Sequence, residues 1–175
     1  MTEEIELRVL TPDDAATYWA LRLRALREEP RAFGADYEES KDRPMAEVEK
    51  RLAGEGNNFT LGAFEDRALV GMITLRRPTE TKSRHTSGIY GMYVAPEARG
   101  QGVGGALLDA LLARARELPG LEQIYLGVAT TQDAARTLYR SRGFEPYALA
   151  RRELKLGDTY VDVEAMVLWL IGAPA

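Results

Sequence analysis

The stretch Val94–Leu112, VAPEARGQGVGGALLDALL, sets four glycines within six residues between a strand-like run and a helix-like run. A helix that begins near Gly102 to Gly104 presents backbone N–H groups with no partner in the preceding turn, together with the positive end of its dipole. An anion is the expected occupant of such a start. Glycine at positions 100, 102, 104 and 105 lets the backbone close on a ligand and adopt conformations barred to other residues. A glycine-rich turn can also do no more than pack a helix on a sheet. The density of glycines, with Arg99 beside them, favours the anion site.

Outward from this loop, Ile89 to Val94 reads as the strand that enters it. Val103, Leu107, Leu111, Ala115 and Leu118 mark one face of the helix that leaves it, and Pro119-Gly120 ends that helix. Upstream, Ile5 to Leu10 reads as a strand. Thr11-Pro12-Asp13-Asp14 then supplies a cap, a first-turn proline and first-turn acids for a helix. Ala16, Trp19, Ala20, Leu23 and Leu26 recur along it at helical spacing until Pro30. A long connection leads to a second helix near Met45 to Ala53. Phe59 to Phe64 and Ala68 to Leu75 form a hairpin about Glu65-Asp66-Arg67, followed by a polar loop over residues 78 to 86. Downstream, Leu121 to Val128 reads as a buried strand and Asp133 to Arg142 as a helix. Pro146 to Leu156 and Thr159 to Leu170 form a closing hairpin on a Gly157-Asp158 turn of type II′. The order is β-α-α-β-β-β-α-β-α-β-β, without repeats or linker, so residues 1–175 are expected to form one α/β domain.

Composition removes several chemistries. The chain of 175 residues has no cysteine and one histidine, His85, in a polar stretch. Disulfides, thiolate metal sites, a Cys nucleophile and a His-based triad or metal cluster are therefore not expected. A net charge of −4 and the absence of a basic run argue against nucleic acid as partner. No apolar run approaches the length needed to cross a bilayer, and the opening MTEEIELRVL is acidic where a secretory signal would be basic and then apolar. A cytoplasmic protein without membrane contact is the expectation.

The letters GQGVGG also fit G-x-G-x-x-G, the fingerprint of dinucleotide-binding folds, at Gly100, Gly102 and Gly105. That fingerprint places its glycines at the very end of the first strand and a ribose-binding acid at the end of the second. Here Ala95 to Arg99 intervene, and the following strand ends LGVATT without an acid. The dinucleotide reading is the weaker one.

Val94 followed by Arg99-Gly100-Gln101-Gly102-Val103-Gly104 resembles the acetyl-CoA signature [QR]-x-x-G-x-[GA] of the GNAT superfamily of N-acyltransferases. Gln132, Ala135, Leu138, Tyr139, Gly143 and Phe144 resemble its second signature, N-x-x-A-x-x-L-Y-x-x-x-G-F, with glutamine at the first place. IELRVLTPDDA resembles the family's opening strand and helix. The resemblance implies a GNAT-like fold, a mixed and mostly antiparallel sheet of about seven strands flanked by about four helices.

It further implies acetyl-CoA as acyl donor, with no metal. The backbones of Met92, Tyr93 and Val94 would hold the pantetheine arm as an added strand would. The N–H groups from Gly100 to Gly105, with Arg99, would hold the pyrophosphate. Gln132 would reach the arm in place of asparagine, beside Ala135. Tyr139 would be the acid that protonates the departing thiol. A helix puts Ala135, Leu138 and Tyr139 on one face, so Tyr139 also reads as a core tyrosine with a satisfied hydroxyl.

A phenol of pKa about 10 donating to a thiolate of conjugate pKa about 8.5 works uphill by roughly 2 kcal/mol at those reference values. A strong hydrogen bond to the developing thiolate can carry most of that role. The acceptor amine, if lysine-like with pKa near 10.4, needs about 4–5 kcal/mol to free its lone pair at pH 7. Where the family often carries a glutamate base, this chain has Gly88 and Gly127. Tyr90 and Tyr93 could relay a proton through water, and Glu38, Glu39, Asp162 and Glu164 lie on segments resembling the acceptor-binding walls.

Phe33, Tyr37, Glu38 and Glu39 in the first long loop, with Tyr147, Tyr160 and Asp162 on the last hairpin, would form an aromatic, acidic rim suited to an amine. Tyr90 joins Phe33, Tyr37, Glu38 and Tyr160 as a candidate acceptor contact. The expected activity is direct acetyl transfer to a primary amine of a small molecule or a protein N-terminus, by a monomer or homodimer. The rivals are a non-catalytic acyl-CoA-binding or regulatory module and a nicotinamide-dependent oxidoreductase.

Overall fold

The computed structural model describes residues 5–172, so the acidic opening at residues 1–4 lies outside the described residues. Seven strands form one sheet in the order β1-β2-β3-β4-β5-β7-β6. They are β1 (Glu6–Val9), β2 (Phe59–Glu65), β3 (Ala68–Arg76), β4 (Thr86–Val94), β5 (Gln123–Ala129), β6 (Glu145–Leu156) and β7 (Thr159–Trp169). Every neighbouring pair is antiparallel except β4 with β5. The helices are α1 (Ala15–Glu28), α2 (Tyr37–Ser40), α3 (Met45–Leu52), α4 (Val103–Arg116) and α5 (Asp133–Ser141).

Local chemistry explains most boundaries. The Asp14 carboxylate accepts a hydrogen bond from the Thr11 N–H at 2.8 Å and pairs bidentately with Arg8 at 2.7 and 2.8 Å, which pins the start of α1 to β1. The β2–β3 turn is tighter than the three residues expected. Asp66 and Arg67 both take positive φ, at 45° and 69°, as a type I′ turn requires. At the β6–β7 turn Gly157 has φ of 58°, matching the first central position of the expected II′ turn.

Two expectations need correction. The long connection after α1 contains a one-turn helix, α2, whose start is capped by Asp36 accepting from the Glu39 N–H at 3.2 Å. Too few residues separate this cap from the next turn for periodicity to show. On α1, Trp19 and Leu26 are buried as expected, but Ala16 and Ala20 are exposed and Ala15, Tyr18, Leu21 and Ala25 turn inward. Tyr18 brings more apolar surface than either alanine, and its bulk decides which stripe faces the sheet.

The core has two layers about the sheet. On one face α4 buries Val103, Leu107, Leu108 and Leu111 against β2 and β3. The approach is close: a Cβ on Gly71 would stand 2.9 Å from Leu107 Cδ1. On the other face α1 packs on β3 and α3 packs on α1. Among the described residues, no helix is long and apolar enough to cross a membrane.

Candidate active site

The parallel seam is short. β4 and β5 are in register only from Thr86 opposite Gln123 to Gly88 opposite Tyr125. Beyond that, β4 stays with β3 as far as Val94 opposite Gly71, while β5 follows β7 as far as Ala129 opposite Val163. The sheet therefore splits along the second half of β4. The cause lies within β4, where Gly91 has φ of 61° and the β3–β4 register slips between Met72 and Thr74. A bulge of this kind bends the strand out of the sheet.

The glycine loop stands at the end of this split. Gly100 and Gly102 have φ of 76° and 81°, and a Cβ on either would meet nothing within 4 Å. Their left-handed backbone demands glycine, and the space beside them is open. Gly102 heads α4 with no side-chain cap, and the first helical bond within the turn is from the Ala106 N–H to Gly102 O at 3.0 Å. The N–H groups at the opening of α4 are thus left for something outside the helix. Gly104 and Gly105 are glycine for packing. A Cβ on Gly104 would lie 3.2 Å from Met92 Cε and 3.7 Å from Val94 Cγ2, and one on Gly105 would lie 3.0 Å from Arg142 Nη2.

Leu138 also reaches both glycines, which brings α5 beside the opening of α4. Met92, Val94, Gly104 and Leu138 are therefore drawn together, and Ala135 and Tyr139 share the α5 face that carries Leu138. Tyr139 is 5% exposed and stacks edge-on with Phe144 at 5.8 Å between ring centres. Burial pushes its phenol well above the usual tyrosine range, so it stays protonated. Its hydroxyl has no hydrogen-bond partner among the described residues. Gln132 is the residue before α5, half-buried, with no side-chain cap bond.

Arg99 is turned to the protein. Its Nε donates to Val94 O at 2.9 Å, its Nη2 pairs with Glu29 at 2.8 Å, and its guanidinium lies 5.7 Å from the Tyr93 ring centre. Gln101 reaches back to Glu97 O at 3.4 Å. Arg24 on α1 holds Glu97 bidentately at 2.6 and 2.8 Å, and this ion pair pulls the Glu97 carboxyl down to about 2. These contacts fasten the glycine loop to α1.

Tyr93 contributes backbone to the β4 edge while its side chain joins the core. Its hydroxyl donates to Glu28 at 2.9 Å, and burial followed by that bond pushes its pKa up to about 12. Tyr90 is 56% exposed and lies over Gly88, where a Cβ would stand 2.7 Å from Tyr90 Cε2. The place left by a missing acid is filled by the Tyr90 ring. Gly127 is closed in the same way, its Cβ position lying 3.2 Å from Val163 Cγ1. A cavity of about 350 Å³ opens over Gly88, bounded by Tyr90, Tyr125 and Arg76.

The remaining candidates fall into two groups. Phe33 packs on Tyr93 at 6.4 Å and lies under the Arg22 guanidinium at 4.7 Å, next to the bulge. The Cβ position of Gly34 is 3.8 Å from Leu154 Cδ2, so this loop reaches from β4 to β6 across the split. The others are engaged elsewhere. Tyr37 lies under Arg27 at 5.9 Å, and Glu38 pairs with Lys41 at 2.5 Å. Tyr160 is flanked by Arg152 and Lys155 beside the hairpin turn. Asp162 accepts from the Arg152 N–H at 2.8 Å, and Glu164 is held by Arg136 and Arg140. No motif marks Arg22, Arg76 or Tyr125. Arg22 follows Tyr18 by one helical turn, while Arg76 and Tyr125 meet Gly88 only through strand register, which leaves no trace in the sequence. Among the described residues, no group of three or more His, Asp or Glu side chains could hold a metal ion.

Residues 20–144 match the acetyltransferase (GNAT) family. The chain belongs to that family. It is 37% identical over 123 residues to an N-alpha-acetyltransferase, RimI, of Mycobacterium tuberculosis, covering 67% of this chain and 72% of that one. It is 34% identical over 129 residues to a mycothiol acetyltransferase of Geodermatophilus obscurus, covering 71% of this chain but 41% of that longer protein. The fold of this GNAT chain superposes on a GNAT-family acetyltransferase from Streptococcus pneumoniae with a TM-score of 0.87 at 24% identity, over 95% of this chain and 99% of that one. It also superposes on YncA, a putative acetyltransferase from Salmonella typhimurium solved with its cofactor acetyl-CoA. There the TM-score is 0.82 at 22% identity, over 98% and 97% of the two chains. As a GNAT acetyltransferase the chain is an enzyme, and the oxidoreductase reading is set aside. The antiparallel β3 ahead of β4 agrees, since a dinucleotide fold would open on a parallel β-α-β unit.

Proposed function

We propose that this enzyme transfers the acetyl group of acetyl-CoA directly to a primary amine, carried by a small molecule or a protein N-terminus. The observation that carries the reading is the uncapped opening of α4, with its two open left-handed glycines, at the end of the β4 edge that the split leaves without a strand partner. A diphosphate fits the first and an amide-bearing arm fits the second. The residues present fit the donor: nothing fills the space beside Gly100 and Gly102, and Leu138 and Tyr139 close the crevice on the α5 side. The acetyl-CoA bound to YncA and the names of the curated relatives support the same reading.

Acetyl-CoA supplies the activated acyl carbon. The backbone of Met92 to Val94 orients the arm, and the N–H groups that open α4 hold the diphosphate. The Tyr139 hydroxyl, protonated and without a protein partner, donates to the sulfur as its bond to the acyl carbon breaks. The acceptor nitrogen forms the new bond and loses a proton to water in the crevice, because Gly88 and Gly127 offer no carboxylate. With no cysteine to carry the acyl group, direct attack is favoured over a covalent relay.

Thermal shift with acetyl-CoA, CoA and NADH tests the donor. A ligand at 100 times its Kd stabilises by about 2.7 kcal/mol, and only the two coenzyme A compounds are expected to do so. Free thiol release across a panel of amines tests catalysis. Coenzyme binding with no amine-dependent thiol release across the panel would count against a primary amine as the acceptor.

A further inference from the structure

The α1/α3 face of the sheet carries a second cavity next to the one over Gly88. Two cross-strand rows point toward this face, Arg76–Gly88–Tyr125 and Thr60–Thr74–Tyr90. Below α3, Thr60, Thr74 and Arg76 of these rows bound a cavity of about 400 Å³, floored by the two threonine hydroxyls, which bond each other at 2.8 Å. The walls hold Arg43, Lys50, Arg51 and Arg76 against Glu47 and Glu55, a surplus of cations in a chain whose net charge is −4.

Most of that positive charge has no counter-ion. Arg43 pairs with Glu47 at 3.0 Å. Arg51 and Arg76 have no carboxylate within ion-pair distance among the described residues, and rest against the rings of Trp19 and Tyr90 at 5.6 Å each. Arg22 stands behind them, one turn along α1 from Tyr18. Its Nη1 is out of solvent and has no acceptor. Burial lowers the Arg22 pKa, and repulsion from Arg51 and Arg76 lowers it further. Like charges gathered in a partly dry cleft are unfavourable unless an anion joins them.

We propose that this cavity holds a carboxylate or phosphate group carried by the amine acceptor. Arg51 and Arg76 grip it above the threonine pair, with the Arg22 charge behind. The inference rests on the acetyltransferase reading given above. The cavity floor lies between β2 and β3 and the split opens beyond β4, two strand spacings apart. Anion and reacting amine are therefore separated by about 10 Å. An extended tripeptide spans about that distance from its N-terminus to its carboxylate.

The test uses glycine, diglycine, triglycine and tetraglycine as free acids and as C-terminal amides, with acetyl-CoA and the full chain. Triglycine is expected to exceed its amide in kcat/KM by about tenfold or more, as one charge-assisted pair warrants. The preference is expected to collapse in Arg51→Gln/Arg76→Gln and to return in part in Arg51→Lys/Arg76→Lys. Equal use of acids and amides by the unaltered enzyme overturns the proposal. A second readout needs no turnover: inorganic phosphate is expected to raise Tm in the unaltered chain, measured with CoA present, and much less in Arg51→Gln/Arg76→Gln. Equal stabilisation of both, or none, overturns the proposal even if no peptide is acetylated. Loss of the acetyl-CoA shift with the phosphate difference intact would instead refute the donor reading and leave the anion cavity standing.

Discussion

Replacing Tyr139 by Phe separates chemistry from packing at the one buried hydroxyl placed beside the crevice. Tyr139 is 5% exposed, and its hydroxyl has no hydrogen-bond partner among the described residues. Removing that oxygen strips no protein contact, so folding stability is expected to change by less than about 0.5 kcal/mol. For a chain of this length that is a Tm shift below about 2 °C. If the hydroxyl donates to the departing sulfur, the variant loses a hydrogen bond to a developing charge, about 1.5–3 kcal/mol. Turnover then falls about 10- to 150-fold. Acetyl-CoA affinity, set by the β4 edge and the opening of α4, should stay within about twofold. Because burial raises the Tyr139 pKa well above 10, no loss of turnover from its ionisation is expected near that pH. Steady-state thiol release and a thermal melt on the same preparations decide the matter. Unchanged turnover would refute the acid role, and a clear drop in Tm with it would return Tyr139 to the core as a packing residue.

Gly102→Ala and Gly102→Glu share the left-handed strain at φ 81°, about 1–2 kcal/mol, but only the glutamate sets a negative charge where the diphosphate is expected. Titration with acetyl-CoA should show the glutamate variant weaker than the alanine one by about tenfold or more, and equal Kd values would count against the α4 site. Gly71→Ala drives a Cβ to 2.9 Å from Leu107 Cδ1 and 3.3 Å from Val103 Cγ1, in the buried α4 interface. Overpacking of about 1–3 kcal/mol should lower Tm by about 3–10 °C, and an unchanged melt would show that α4 shifts freely. Arg8 and then Thr11 hold Asp14 down to about 2, below the unfolded value near 3.9, so its stabilisation is present at neutral pH and lost as pH falls from about 5 toward 2. Asp14→Asn should cost about 1 kcal/mol at pH 7 and flatten that part of the acid-unfolding curve. An identical acid profile in the variant would show the pair to be idle.

The strand, loop and helix proposed to hold the donor were legible as elements because they are built from residues close in sequence. Strand, glycine loop and helix occupy one continuous stretch from Thr86 to Arg116, and the second signature runs from Gln132, just before α5, to Phe144, three residues past its end. Hydrophobic period, turn chemistry and helix starts are local properties, so element order and the sheet's seven strands followed from them. Misreadings arose where tertiary packing decides. The burial of Tyr18 over Ala16 depends on what lies across the chain, while the single turn of α2 is simply too short for a period to show. Arg99 shows the same limit, since its bond to Glu29 needs α1 folded against the loop.

The cavity proposed for the acceptor had no comparable signal because its residues meet only through tertiary packing. Arg22, Arg51 and Arg76 come from three elements, and none stands in a recognisable spacing with another. The acids on the expected rim are exposed or already engaged by Lys41, Arg136, Arg140 and the Arg152 amide. What faces the β3 and β4 rows is arginine and tyrosine. An acceptor's ammonium group gains nothing from such a wall, so the wall discriminates through some other part of the molecule. Attraction there lets the enzyme hold its acceptor by a remote group while the amine, free of any carboxylate at Gly88 or Gly127, sheds its proton to water. A cationic surround also favours the neutral amine over the ammonium form, which is the protonation state that direct transfer requires.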